Sequence, residues 1–254
     1  MAKKTEPRLR KPVRTVPLYP LNDFPDKFFL RLAERVAVHR ATRKALDIEG
    51  KDWEKIFAEC IQADWMPTNA GLDDIRHMPS STAWGAKTVK GRVRTATEPR
   101  RQKYVRLISG RNHVDYSYDV LVHPDSSPPN DIGEMVLGIW NRRVIEVRSK
   151  FADLRTVVLI KDEEKSRVGV FECETKIYPT EQFEWRWNKN RHLEGCDKGT
   201  GEHKFTWQST GSQFTIKEKI PDNMSGIQLV EFDEIPYSEI LRLINFTDAS
   251  YTRL

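Results

Sequence analysis

Three side chains have types and spacing that could do chemistry together: Glu54 in GKDWEKIF, Asp74 in GLDDI and Lys87 in AWGAKTVK. A pair of carboxylates can hold Mg²⁺ against a phosphate, and a neighbouring amine can orient or deprotonate an attacking water. Such a set suits phosphodiester hydrolysis. Lys87 follows Asp74 by thirteen residues, a separation that lets two arms of a hairpin converge on one phosphate.

The elements that must position these groups follow from periodicity. Phe28, Phe29, Leu32, Val36 and Val38 recur at roughly helical spacing and predict a helix over 26–46. A second helix is predicted over 51–64, where Trp53, Ile56, Phe57, Cys60 and Ile61 form one apolar stripe and Glu54 sits near the start. Gly50 separates the two. Short strands are expected around Asp74–Ile75, Ala83–Val89 and Lys103–Ile108. The run PDSSPPND (124–131) reads as a loop, and Gly133–Arg148 as a helix. Thr156–Ile160 and Val168–Ile177 predict a hairpin joined by DEEKSR, and Tyr237–Ile244 a short closing helix. The class is therefore α/β (α+β), a central mixed β-sheet flanked by helices.

A glycine followed by aromatic-Glu on a helix, then an aspartate, then an x-x-Lys strand resembles the PD-(D/E)XK nuclease superfamily. That superfamily includes type II restriction endonucleases and junction or repair nucleases. The likeness covers residues 50–90 and rests on order and spacing. It implies a restriction-endonuclease-like core and a Mg²⁺-dependent, site-specific endonuclease of double-stranded DNA. Asp74 and Glu54 would be the metal ligands, and Lys87 would position or activate water. The family pattern carries an acid two residues before the lysine, where this chain has Gly85. An alternating strand puts Gly85 and Lys87 on one face, so a ligand is missing from its expected place. Glu54 or Glu98 would have to supply it. Otherwise the chain is a degenerate, non-catalytic DNA-binding protein of nuclease fold. A structure-selective repair or junction nuclease is the other alternative.

Each residue also has a plain structural role open to it. Glu54 suits a helix N-terminus, Asp74 a turn, and Lys87 a solvated strand end. A second cluster, Asp153 or Asp162 with Glu172, Glu174 and Lys176 in FECETK, has the E-x-K spacing but no glycine-aromatic-Glu helix before it. It reads better as the polar face of a hairpin.

Nucleic-acid contact is suggested by charge and by amide-rich segments. From Lys87 to Arg111 there are nine basic residues against one acid, Glu98. Phosphate contacts of this kind give salt-dependent binding with little sequence information. Arg106 lies within this run. Arg111, Asn112 and His113 follow on an expected turn, and Arg and Asn are suited to bidentate contacts with guanine and adenine. Between Trp185 and Gln213 aromatics alternate with polar groups. Trp187, Asn188, Lys189, Asn190, His203, Lys204, Gln208 and Gln213 are the candidates there for groove contact or base stacking. An ordinary hairpin with buried aromatics has the same alternation.

The chain has 254 residues, 38% hydrophobic and 31% charged, with no apolar run long enough to span a membrane. Its net charge of +5 resides in the first twenty residues, which hold six basic groups and one acid; the remainder balances at 36 against 36. Residues 1–26, with five prolines, read as a basic arm, and 27–254 as a single nuclease-like domain. No apolar segment follows the basic start, so a secretory signal is not expected. Three widely spaced cysteines suggest a reducing compartment, and the resemblance to restriction enzymes implies a cytoplasmic, prokaryotic setting. Cutting both strands of a palindrome commonly uses a symmetric homodimer.

Overall fold

The computed structural model of the chain describes residues 18–43, 47–67, 71–93, 103–111, 128–208, 213–229, 235–243 and 245. Two helices open it, α1 (Phe28–Arg43) and α2 (Gly50–Ile61). Four-residue spacing keeps Phe28, Leu32 and Val36 on one buried face of α1. In α2 the stripe Trp53, Ile56, Phe57, Cys60 and Ile61 is buried, and the helix stops where Gln62 turns left-handed.

The helices cover one face of a six-stranded mixed sheet. Its strands are β1 (Asp64–Trp65), β2 (Ile75–His77), β3 (Thr82–Lys90), β5 (Asp153–Asp162), β6 (Arg167–Glu174) and β11 (Ser225–Gln228), in the order β1-β2-β3-β5-β6-β11. β2 and β3 form an antiparallel pair, and β3 runs parallel to β5 with Gly85 opposite Thr156 and Lys87 opposite Val158. The expected hairpin across DEEKSR is β5–β6. Its central run Val157–Ile160 is buried on both faces, which explains the absence of polar alternation in the sequence.

The opposite face is covered by α3 (Pro129–Arg148) and a second, antiparallel sheet. This sheet comprises β4 (Tyr104–Arg111), β7 (Phe183–Trp187), β8 (Leu193–Asp197), β9 (His203–Gln208) and β10 (Gln213–Lys219), ordered β4-β10-β9-β8-β7. A short helix α4 (Tyr237–Leu243) closes the described chain. The fold is thus α+β, with two sheets and four α-helices among the described residues. No described helix is long and apolar enough to cross a membrane.

Two differences from the sequence expectations have clear causes. The prolines of PDSSPPND do not all belong to a loop, because Pro129 occupies the first turn of α3, where a missing N–H is harmless. The expected arm of 1–26 does not hold for residues 18–26, of which Leu18, Tyr19 and Phe24 pack on the core. Tyr19 is buried, and Phe24 stacks on Phe28 with ring centroids 4.4 Å apart. Residues 1–17 lie outside the described residues.

A single tryptophan keys α3 to the second sheet. The Trp185 ring lies directly against the backbone of Gly133, so that a Cβ there would overlap the ring, and a Cβ at Gly195 would meet it at 2.8 Å. Gly138, on the same helix, has open space around it. Gly133→Ala is expected to lower stability by about 1–3 kcal/mol through overpacking. Gly138→Ala is expected to raise it by about 0.5–1 kcal/mol through helix propensity. Denaturant unfolding of the two variants checks this, and equal effects would contradict it.

Candidate active site and nucleic-acid interface

Asp74 sits just before β2, where the β2–β3 ladder ends, and its Oδ2 accepts from the Ala86 amide at 3.1 Å. The residue is 7% exposed. Its neighbour Asp73 has a different fate: Arg76 holds it through a 2.6 Å ion pair. Asp74 keeps only the Ala86 amide and the attraction of Lys87, while Glu54 and Asp73 repel it. Burial outweighs both favourable contributions, and the carboxyl is pushed up from 3.8 to about 6.

Asp74 thus feels the charges of both Lys87 and Glu54. α2 delivers Glu54 by burying Trp53 beside it, and the Trp65 indole donates to Glu54 Oε2 at 3.1 Å. β3 delivers Lys87. Glu54 and Lys87 line one groove of about 700 Å³, whose floor is Ala86–Lys90 and whose far wall is the outer face of β4 with Tyr104, Arg106 and Ile108.

Gly85 shares the Lys87 face. A Cβ built there would lie 3.9 Å from Asp74 Oδ2 and 3.2 Å from the Leu72 carbonyl oxygen. A side chain at 85 would thus start beside the Asp74 carboxylate, in the place the family pattern gives to its second acid. Among the described residues no cluster of three or more His, Cys, Asp or Glu could hold a metal ion. Mg²⁺ needs only one or two carboxylates when water and phosphate oxygens complete its octahedron. Glu54 lines the groove while Asp74 is buried behind its floor strand and repelled by Glu54; two such acids could meet that requirement without making an all-protein cage. Glu98 lies outside the described residues.

The FECETK cluster is engaged structurally. Glu172 is 1% exposed and accepts from Tyr19 Oη at 2.8 Å, Trp84 Nε1 at 2.6 Å and Arg155 Nη1 at 3.0 Å. Asn22 bonds the backbone of Glu172 on both sides, accepting from its amide and donating to its carbonyl. Asp153 binds Arg155, Asp162 accepts from the Val93 amide, and Glu174 pairs with Arg148. Glu172 ties the segment carrying Tyr19 and Asn22 to the sheet.

The interface candidates divide into three groups. Asn112 and His113 lie outside the described residues, as does the side chain of Arg111. Trp185, Phe205 and Trp207 are core residues, and Trp187 is half-buried against the same cluster, so the aromatic alternation serves packing. His203 contacts the Phe205 carbonyl and Thr206, and Lys204 binds Glu218 and the Lys217 carbonyl, which engages both within the sheet. Asn188 caps its own turn, accepting from the amides of Asn190 and His192.

The remaining candidates converge. In the register of the second sheet Leu193 faces Trp207, Trp207 faces Phe214, and Gln213 faces both Gln208 and Arg111. The turn carrying exposed Lys189 and Asn190, the Gln208–Gln213 pair and the end of β4 at Arg111 consequently leave one end of the sheet. These segments are separate in the sequence, and only the sheet register joins them. Further along β4, Arg106 enters the groove of Glu54 and Lys87. Elsewhere in the basic run, Lys90 and Arg92 pair with Glu163 and Glu164.

The Asp74 shift has two opposite consequences with pH. Its folded value lies above its unfolded value, so its contribution to stability is complete below pH 3.8 and is lost as pH rises through about 6. The loss is on the order of 3 kcal/mol. An ionised Asp74 would be needed to hold a divalent cation, so any Mg²⁺ affinity at this carboxyl is expected to rise across the same interval. Unfolding midpoints and Mg²⁺ titrations from pH 5 to pH 8 test this pairing. A Mg²⁺ affinity independent of pH would contradict it.

Comparison of the chain with protein-family models, with curated proteins and with solved structures finds no match.

Proposed function

We propose that the chain is a Mg²⁺-dependent DNA endonuclease of the PD-(D/E)XK kind, selective for sequence and acting on duplex DNA as a homodimer. One observation carries this reading. A buried aspartate without an ion-pair partner among the described residues, pushed up to about 6, lies within electrostatic reach of Lys87 and Glu54, and these two line a groove that Arg106 also lines. Burying a carboxylate so poorly compensated is unfavourable for stability, and function is the usual reason for retaining one.

Asp74 and Glu54 would hold Mg²⁺, which when bound there supplies charge stabilisation to the phosphate and acidifies water. Lys87 orients the attacking water through its ammonium, and the water's proton passes to solvent. The water oxygen bonds to phosphorus as the bond to the leaving sugar oxygen breaks, and that oxygen is protonated. Arg106 neutralises charge on the cut strand. The sheet end with Lys189, Asn190, Gln208, Gln213 and Arg111 supports base reading, because amides and arginine match base-edge donor and acceptor patterns.

Gly85 favours one second reading, a nuclease-fold protein that binds DNA without cutting. Thermal unfolding in Mg²⁺ addresses the metal directly. The wild type should be stabilised by the cation, and Asp74→Asn should lose that response. An equal Mg²⁺ response in both proteins would remove Asp74 from the metal site.

A further inference from the structure

β2 pairs with β3 only as far as Trp84, so from Ala86 to Lys90 β3 has β5 on one side and the groove on the other. The Ala86 amide turns toward the groove side, where Asp74 accepts it. Strand alternation turns the amides of Thr88 and Lys90 the same way, at steps of about 7 Å. Gly91 donates to the Lys161 carbonyl, so the odd-numbered amides of β3 point to β5 and those of Thr88 and Lys90 point to the groove. An unpaired edge inside a sheet protein is a standing invitation to another strand, and such edges are normally covered or charged.

We propose that this free edge of β3 is a phosphate track. The backbone amides of Thr88 and Lys90 bind successive phosphates of the DNA strand whose scissile link lies at Lys87, and Arg106 neutralises a phosphate from across the groove. The placement of the scissile link rests on the nuclease reading; the binding of the strand does not. The occupant is a nucleic-acid strand rather than an added polypeptide strand because the groove's charged side chains are predominantly basic. Lys87, Lys90 and Arg106 line it against Glu54 alone, within a run of nine basic residues and one acid. The Lys90 ammonium is paired with Glu163, so Lys90 contributes through its amide. Anions held by main-chain N–H groups are held without regard to base sequence, which separates this track from the reading end of the second sheet.

Two measurements on the full chain in EDTA, with a fluorescent mixed-sequence duplex as probe, test the track. Hydrogen–deuterium exchange should show the amides of Thr88 and Lys90, within 86–90, protected when the duplex is added. Arg106→Gln should weaken binding several-fold and reduce the slope of log affinity against log salt by about 0.9. Bound DNA that leaves 86–90 unprotected, or no DNA binding at all, overturns the proposal, as does protection given by an unfolded carboxymethylated polypeptide but not by DNA. Protection by DNA with no cleavage in Mg²⁺ keeps the track and removes the nuclease reading. Cleavage without protection does the reverse.

Discussion

Asp74→Asn is expected to reduce Mg²⁺-dependent DNA cleavage by about 10²–10⁴-fold and at the same time to make the protein more stable at neutral pH. Asparagine keeps an oxygen for the Ala86 amide but removes the buried negative charge. It therefore relieves the unfavourable burial and the repulsion from Glu54 and Asp73 that push the carboxyl up to about 6. The gain should be about 1–3 kcal/mol at pH 7.5 and should vanish at low pH, where the wild-type carboxyl is protonated. Lys87→Ala should also abolish cleavage. With the Lys87 charge gone, the Asp74 carboxyl should rise further, because that charge is the largest influence holding it down. A merely structural Asp74 would give the opposite pattern, with loss of stability and no specific loss of cleavage.

Arg155→Met should be the most destabilising substitution in the sheet, by about 3–5 kcal/mol. Arg155 is 3% exposed and donates to Glu172, to Asp153 and to the Tyr19 carbonyl, the last at 2.7 Å. Its removal strands a carboxylate among Tyr19, Trp84 and Asn22, and loosens the point where the chain from Leu18 onward joins the core. Burial already pushes Glu172 up, and Arg155 is the strongest influence opposing this. The variant's Glu172 should therefore rise further, so that its deficit shrinks as pH falls and the carboxyl is protonated. Glu172→Gln in the same background should restore part of the loss at neutral pH. Unfolding curves at several pH values measure both effects. A deficit independent of pH would mean that the lost packing of Arg155 matters more than the stranded charge.

Much of the architecture was legible because apolar spacing reports burial directly. The stripes of α1 and α2, the doubly buried run of β5 and the hairpin over DEEKSR all left local patterns. The elements carrying Glu54, Asp74 and Lys87 were legible too, a helix for the first and a β-pair for the other two. Three things left no local signal. The tryptophan alternation around Trp185 is the same for a core strand and a stacking surface, and only the position of Gly133 decides between them. The engagement of Glu172 depends on Tyr19, 153 residues away. The convergence of the Lys189 turn with Gln208, Gln213 and Arg111 depends on sheet register, which local composition does not encode. The free edge of β3 was invisible for a similar reason, since nothing within β3 tells how far β2 extends alongside it.

The most direct test of a divalent-ion centre built on Glu54, Asp74 and Lys87 is incubation of supercoiled plasmid with the protein and Mg²⁺, followed by sequencing of the fragment ends. The account predicts double-strand breaks at unique ends that disappear in Asp74→Ala and in Lys87→Ala. Intact plasmid under every divalent ion tried, or undiminished cutting by both variants, would contradict it.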